Sequence, residues 1–170
     1  MKTPISLLCA CLPLLAWAAP YTPKDGSAVI EQLPRRADAT RSELRGLRQR
    51  LDATPGDLAL AASLAQRYIA LARSETDPRY LGYAQAALAP WWRQAAPPLP
   101  VRLLRATILQ STHQFGPALQ DLDAVIAQEP ANGQAWLTRA TVLTVQGDYA
   151  QATASCARLS ALSTQLVTVT

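Results

Sequence analysis

The chain contains 170 residues, a length that fits one domain. Of these residues 49% are hydrophobic and 16% charged, proportions that exclude an intrinsically disordered chain or a charged coiled coil. Aromatic residues make up only 6%, which favours α-helices over a β-sandwich. With one histidine and seven glycines, the chain has little material for a histidine-based metal site or a glycine-rich phosphate loop.

Residues 1–18 are predicted to be a secretory signal peptide. Lys2 precedes an almost wholly apolar run, and Ala16 and Ala18 supply the small side chains of a cleavage site. The run is too short to cross a membrane comfortably, so no membrane insertion is expected after cleavage. Lipidation at Cys11 is the alternative for this segment. A periplasmic or secreted protein is therefore expected.

Cleavage after residue 18 would remove Lys2 from the 16 basic residues, leaving 15 against 12 acidic ones and a net charge of +3. This excess is too small to indicate a nucleic-acid partner. Cys156 would then be the remaining cysteine. A single thiol in an oxidising compartment is either buried or available to a sulfur of another chain, and burial is the simpler interpretation.

The first part of the mature chain is predicted to be a leader and a cap helix. Residues 19–37 carry scattered proline and glycine, which is typical of a flexible leader. A cap helix is predicted over 38–53, because Leu44, Leu47 and Leu51 share one face.

The same helix carries a basic stripe of Arg41, Arg45 and Arg48 beside the leucines. This stripe is either a solvated helix face, which we favour, or a site for an anionic partner.

A helical hairpin is predicted over 57–92. Its first helix extends to Ser74, and its second begins at Pro78 and continues to about Trp92, with Ala84 and Leu88 facing inward. Small residues are spaced more widely here than in the units that follow, so an expanded turn is expected.

Residues 99–132 and 133–164 form two units that repeat with a period of 34 residues. The matched pairs are Leu103 and Leu137, Arg105 and Arg139, Ala106 and Ala140, Thr107 and Thr141, Leu109 and Leu143, Phe115 and Tyr149, and Ala118 and Ala152. A fixed period with small residues at paired positions predicts an array of helix–turn–helix units. Gly147 permits a tight turn between the helices, and Asp148 is predicted to cap the second helix.

These units resemble the tetratricopeptide repeat family. Trp136, Ala140, Tyr149 and Ala152 carry the family's pattern in the second unit, and the first unit ends in the family's proline, Pro130. The resemblance implies an all-α fold: a right-handed superhelical array of antiparallel helix hairpins over residues 38–170. It also implies a concave groove lined by the first helix of each hairpin.

No catalytic or metal constellation is expected, and no cofactor. His113 is the only histidine and is expected to be solvated in a turn. Asp121 and Asp123 point in opposite directions on a helix and are expected to lie on a hydrated face. Arg105 and Arg139 stand where the family has large apolar residues, so each needs an acceptor. Carboxylates on a neighbouring helix would supply it, with ligand binding as the alternative.

The expected function is that of a non-catalytic scaffold in the cell envelope, which binds another protein or a peptide segment. The predicted groove residues are Leu103, Thr107, Gln110, Leu137, Thr141 and Thr144. The groove is uncharged and rich in hydroxyl groups, which suits a helix or an extended segment of a partner.

Two other functions stay open. The first is that of an assembly subunit, which self-associates through an open C-terminal hairpin. Apolar residues after Leu162 suit either a longer array, which we favour, or a last hairpin that another surface covers. The second is that of an enzyme or a small-ligand-binding protein that uses Arg105, Arg139 and Trp91.

Overall fold

The protein is all-α over the residues that the computed structural model describes, which are 22–30 and 39–167, with side chains to residue 162. Within these ranges the regular elements are eight helices, and no strand occurs. The all-α prediction is confirmed to that extent. The predicted signal peptide, Cys11 and most of the predicted leader lie outside the described residues. None of the described helices is long and apolar enough to span a bilayer.

Two compact units divide the chain, Met1–Ala37 and Asp38–Thr170. In the first unit, residues 22–30 contain a turn at Asp25, whose carboxylate accepts hydrogen bonds from the amide of Ser27 at 3.0 Å and from its hydroxyl at 2.7 Å. These bonds lower the pKa of the Asp25 carboxyl.

The larger compact unit, Asp38–Thr170, contains all eight described helices. In chain order they are α1 (Ala39–Ala53), α2 (Leu58–Ser74), α3 (Arg79–Ala87), α4 (Ala89–Trp92), α5 (Leu99–Ser111), α6 (Phe115–Gln128), α7 (Gly133–Gln146) and α8 (Tyr149–Val167). The most extensive contacts are within three consecutive pairs, α2 with α3, α5 with α6, and α7 with α8. The pair α6 and α7 comes next, and α1 packs against α2.

The helix predicted to continue from Pro78 to about Trp92 is interrupted at Leu88. Pro90 has no amide hydrogen to donate to the preceding turn, and its ring disfavours a continuous helix there. The chain therefore restarts as the short helix α4. Ala84 and Leu88 are both fully buried, which confirms their predicted inward orientation.

Each of the three hairpins turns through a residue with a left-handed backbone conformation. These residues are Thr76, His113 and Gly147, with φ angles of 52°, 60° and 80°. After each of them, the next amide donates to a carbonyl five residues back, at 3.2, 2.8 and 2.9 Å respectively. This is the Schellman closure of a helix C-terminus. His113 and Gly147 are 34 residues apart, so the repeat extends to the backbone of the turn.

The first hairpin has a turn of the same kind, so its predicted expanded turn is wrong. Most of its additional residues lie in the helices instead, since α2 continues for nine residues beyond Ala65, whereas α5 continues for five beyond Ala106. Ala65 and Ala84 are both fully buried. Along the chain, each lies three or four residues further from the left-handed residue of its hairpin than Ala106 and Ala118 do in the next hairpin, which is about one helical turn.

Two apolar clusters form the core of the helical unit. The first joins α1, α2 and α3 to one face of α5, where Val101 and Ile108 are buried. The second joins α5, α6 and α7 through Ala106, Leu122 and Val142. Helix α5 contributes to both clusters and thereby connects the first hairpin to the repeated pair.

Asp57, Asn132 and Asp148 cap the N-termini of α2, α7 and α8. Their carboxylate or amide oxygens accept from backbone amides three residues on, at 2.9, 3.0 and 3.1 Å. Such bonds satisfy amides that the helix itself leaves unpaired. The predicted capping role of Asp148 is confirmed.

Candidate functional site

The six residues predicted to line a groove differ in exposure according to the helix that carries them. On α5, Leu103 and Gln110 are half-buried, and Thr107 is only 7% exposed. Thr107 is therefore not on the surface, and its hydroxyl donates to the carbonyl of Leu103 at 2.9 Å. The three equivalents on α7 are exposed.

Helix α7 packs against α5. Leu103 packs against the second core cluster, to which α7 contributes Ala135 and Val142. Among the described residues, no further helix follows α8 to cover α7 in the same way. The α7 stripe is the name used here for exposed residues of α7 together with the exposed tyrosine that begins α8; its residues are Leu137, Thr141, Thr144, Val145 and Tyr149.

The α7 stripe has apolar ends and a hydroxyl-bearing middle. Leu137 is 46% exposed and Tyr149 is 67% exposed, with Val145 also open to solvent. Thr141 and Thr144 donate their hydroxyl hydrogens to carbonyls of their own helix at 3.0 and 2.8 Å. Their oxygens remain able to accept a hydrogen bond from a partner.

The outward faces of α6 and α8 show the same contrast. Four α6 side chains pack into the second core cluster: Phe115, Leu119, Leu122 and Ile126. Their equivalents on α8 are Tyr149, Thr153, Cys156 and Ser160, and all four are exposed. Each replacement on α8 is smaller or more polar than its counterpart, as expected for a face in contact with water.

The predicted burial of Cys156 is therefore wrong. Leu122, its equivalent in the preceding unit, is fully buried because α7 lies over it. Cys156 has no such cover among the described helices and is an exposed free thiol. The same reason accounts for the exposure of Tyr149, since Phe115 at the equivalent position packs against the second core cluster, to which α7 contributes.

Arg105 is held by a carboxylate on the neighbouring helix and by the segment that precedes α5. Its Nε and Nη2 donate to the two carboxylate oxygens of Asp121 at 2.6 and 2.7 Å. Its Nη1 donates to the carbonyls of Trp92 and Gln94 at 2.6 and 3.0 Å. Four of its five N–H groups are thus engaged, and the bond to Asp121 raises the pKa of Arg105.

Arg139 has a different set of partners at the equivalent position. Its Nε donates to Asp123 at 2.8 Å, its Nη1 to the hydroxyl of Ser155 at 2.8 Å, and its Nη2 to Gln151 at 2.9 Å. Both arginines therefore bond to a carboxylate on α6. Carboxylates on a neighbouring helix are the acceptors that the sequence predicted for them.

The predicted hydrated face of α6 is wrong for Asp121. Its side chain is 6% exposed, whereas that of Asp123 is 58% exposed. The two carboxylates do point in opposite directions, and each meets a different arginine, one on α5 and one on α7.

The predicted basic stripe of α1 is partly engaged by the first hairpin. The guanidinium of Arg48 lies over the rings of Tyr68 and Tyr83, 5.5 and 5.1 Å from their centroids. Arg41 approaches Glu75 at 3.8 Å. Cation–π contacts of this kind stabilise the attachment of a helix, so the stripe has a structural role at Arg48.

His113 is exposed in its turn and lies edge-on to Phe115, with ring centroids 5.6 Å apart. In the part of the chain that the structure describes, no three His, Cys, Asp or Glu residues come together to hold a metal ion. Trp91, part of the predicted ligand alternative, is half-buried against the first core cluster.

Sequence reasoning missed two surface residues. Val145 belongs to the α7 stripe because it follows Leu137 by eight positions, a spacing of about two helical turns. Arg102 stands 34 positions before Trp136, and this register is the signal that could have found it. The indole of Trp136 donates to the carbonyl of Pro130 at 2.8 Å, and Nε of Arg102 donates to the carbonyl of Pro97 at 3.2 Å.

Comparison of the chain with models of known protein families, with curated proteins and with solved structures finds no match.

Proposed function

We propose that the protein is a non-catalytic interaction scaffold of the cell envelope, built as a right-handed superhelical array of tetratricopeptide-like hairpins, and that it binds another protein or a peptide segment. The observation that supports this function is the α7 stripe. It offers exposed apolar anchors at Leu137 and Tyr149 around the acceptor oxygens of Thr141 and Thr144. Apolar anchors of this kind dominate the affinity of protein interfaces.

Support for a repeat array comes from the two 34-residue units. Their turns share one hydrogen-bond pattern, and Ala106 and Ala140 are both buried. Small side chains at paired positions let helices approach closely. The proposed location in the periplasm or outside the cell rests on the amino-acid sequence of residues 1–18.

A peptide-selection experiment tests the proposed function. Peptides selected from a random library on the wild-type protein would be measured against Thr141→Arg, which places a long cation in the middle of the α7 stripe. We expect their affinity to fall at least about tenfold, since a desolvated charge would face an apolar ligand. Ala154→Arg is the control, because it adds the same cation at an exposed position of α8 that lies outside the stripe.

Two results would argue against the proposal. One is a library that yields no peptide dependent on the folded protein. The other is an equal effect of both arginine substitutions, which would place the docking surface elsewhere.

Self-association through the C-terminal hairpin is the second candidate function. The observation that favours it is the open face of α8, where Cys156 and Tyr149 are both exposed. Sedimentation of the purified protein under reducing conditions tests it. A monomer at all concentrations would exclude this function, whereas a dimer that Tyr149→Glu dissociates would support it.

A further inference from the structure

A cavity lies between the segment that follows α4 and the helices α5 and α6. Its volume is about 400 Å³, which falls within the range of small-molecule sites. Trp92 and Ala95 form the wall on the side of the connecting segment, and Leu109 and Pro117 contribute apolar surface. This cavity is separate from the α7 stripe, since the two share no residue.

The irregular segment is what forms one wall of the cavity. The carbonyls of Trp92 and Gln94 are held by Arg105, which fixes the chain beside α5. The connection between α6 and α7 has four residues, 129–132, against six, 93–98, between α4 and α5. Fixed backbone around a partly apolar space is a feature of preformed ligand sites.

The charged groups of the cavity leave one positive charge without a counter-ion. Arg105 and Asp121 neutralise each other at 2.6 Å, with side chains 13% and 6% exposed. Arg102 also lines the cavity, and its Nε donates to the carbonyl of Pro97 at 3.2 Å. Within the described part of the chain, no acidic side chain pairs with it.

The guanidinium of Arg102 therefore has four N–H groups left to donate. Two parallel N–H groups of an arginine match the two oxygens of a carboxylate, and such bonds are stronger than neutral ones. At the equivalent position of the next unit, Trp136 makes the same type of bond to a proline carbonyl. An arginine at 102 keeps that bond and adds a cation.

We propose that this cavity binds a small monoanion that carries one carboxylate on a planar apolar group. Arg102 is the counter-ion and pairs with the carboxylate. Trp92, Leu109 and Pro117 pack against the planar group. The neutral pair of Arg105 and Asp121 lines the cavity without selecting the sign of the ligand.

The probe for this site is 2-naphthoate, and 2-naphthamide is its uncharged analogue. In NMR spectra of the ¹⁵N-labelled full chain, we expect 2-naphthoate to shift the indole N–H signal of Trp92 and the Nε–H signal of Arg102 saturably. The amide analogue is expected to bind about tenfold more weakly, because the charge-assisted hydrogen bonds are lost. The absence of a saturable shift at about 10 mM probe would overturn the proposal.

Two variants identify the counter-ion. Arg102→Gln retains an N–H donor for Pro97 but removes the charge, and we expect it to weaken 2-naphthoate binding about tenfold. Arg93→Gln removes an exposed charge nearby that does not line the cavity, and we expect it to change the affinity by about twofold or less. Equal effects of the two variants, or unchanged binding by Arg102→Gln, would overturn the proposal.

A third variant decides the question if Arg102→Gln does not fold. Gln120 is an exposed residue of α6 that lines the cavity, so Gln120→Trp would fill the space without altering any charge. We expect this variant to lose the shifts that 2-naphthoate causes while its thermal unfolding stays as in the wild type. Retained binding would place the ligand elsewhere and overturn the proposal.

Discussion

The two 34-residue units have the same local structure but different surroundings. Both turns are closed by the same hydrogen bond, at 2.8 Å in the first unit and 2.9 Å in the second. Their side chains nevertheless differ in exposure, because α7 covers the first unit and no described helix covers the second. A repeat in the sequence therefore specifies the hairpin, whereas the burial of each repeated position depends on the next hairpin.

The two repeated arginines illustrate the consequence for electrostatics. Arg105 pairs with a carboxylate of its own hairpin, and Ser155 replaces that carboxylate in the second unit. Arg139 instead reaches Asp123 in the preceding hairpin. One repeated residue thus stabilises a hairpin from within in the first unit and connects two hairpins in the second.

The first prediction tests whether the two arginines differ in their dependence on a carboxylate. Asp121→Ala would leave the largely buried guanidinium of Arg105 without its carboxylate, and we expect the free energy of unfolding to fall by about 3–5 kcal/mol. The adjoining cavity is partly open to solvent, which places the loss nearer the lower value. Urea unfolding measures it.

Asp123→Ala is the matched control for this loss. Asp123 is 58% exposed, and Arg139 retains Ser155 and Gln151 as acceptors. We expect a loss of about 1 kcal/mol or less. Equal losses in the two alanine variants would contradict the assignment of Asp121 as the buried partner.

The second prediction concerns the outward faces of α6 and α8. Leu122→Ala would leave a cavity between α6 and α7, and we expect a loss of about 2–5 kcal/mol in the free energy of unfolding. Cys156→Ala at the equivalent position is expected to change it by about 0.5 kcal/mol or less. Chemical denaturation of both variants checks the difference, and a large loss for Cys156→Ala would mean that a surface covers α8.

Reaction with a thiol reagent gives an independent measure of that cover. The exposed thiol of Cys156 is expected to react in the native protein at a rate close to that in urea. Strong protection of the thiol in the native state would show that it is covered.

The sequence predicted the features of this fold that depend on neighbouring residues along the chain. The capping carboxylate of Asp148 and the left-handed glycine at 147 follow from the chemistry of a tight turn, and both are present. The inward orientation of Ala84 and Leu88 follows from helical spacing. Each of these properties is determined within a few residues of the position concerned.

Properties that depend on distant elements were not predictable in the same way. Cys156 occupies a core position of its repeat but is exposed, because burial there requires a following hairpin. The sequence predicts Asp121 in water, yet its carboxylate is buried, because Arg105 of another helix supplies its counter-charge. The cavity beside Arg102 depends on the path of an irregular segment, which no periodic pattern describes.

The third prediction concerns the packing at the two equivalent alanines. Ala106→Leu and Ala140→Leu would each overpack a helix crossing, at a cost of about 1–3 kcal/mol in the free energy of unfolding. Ala106 on α5 is fully buried in the second core cluster, whereas Ala140 on α7 is 4% exposed. We therefore expect the larger cost for Ala106→Leu. Unchanged thermal unfolding in either variant would contradict close packing at that position.

The fourth prediction concerns the backbone of the two turns. His113 has a φ of 60°, where a side chain is unfavourable, and Gly147 has a φ of 80° at the equivalent position. His113→Gly is expected to raise the free energy of unfolding by about 0.5–1 kcal/mol, and Gly147→Ala to lower it by about 1 kcal/mol. A Cβ at Gly147 would meet no atom within 4 Å, so the cost arises from the backbone conformation alone.

Because His113 also contacts Phe115, His113→Asn serves as the control for His113→Gly: it removes the ring but suits a left-handed backbone. If His113→Gly and His113→Asn both destabilise the protein by similar amounts, the contact with Phe115 outweighs the strain, and the two turns are not energetically equivalent.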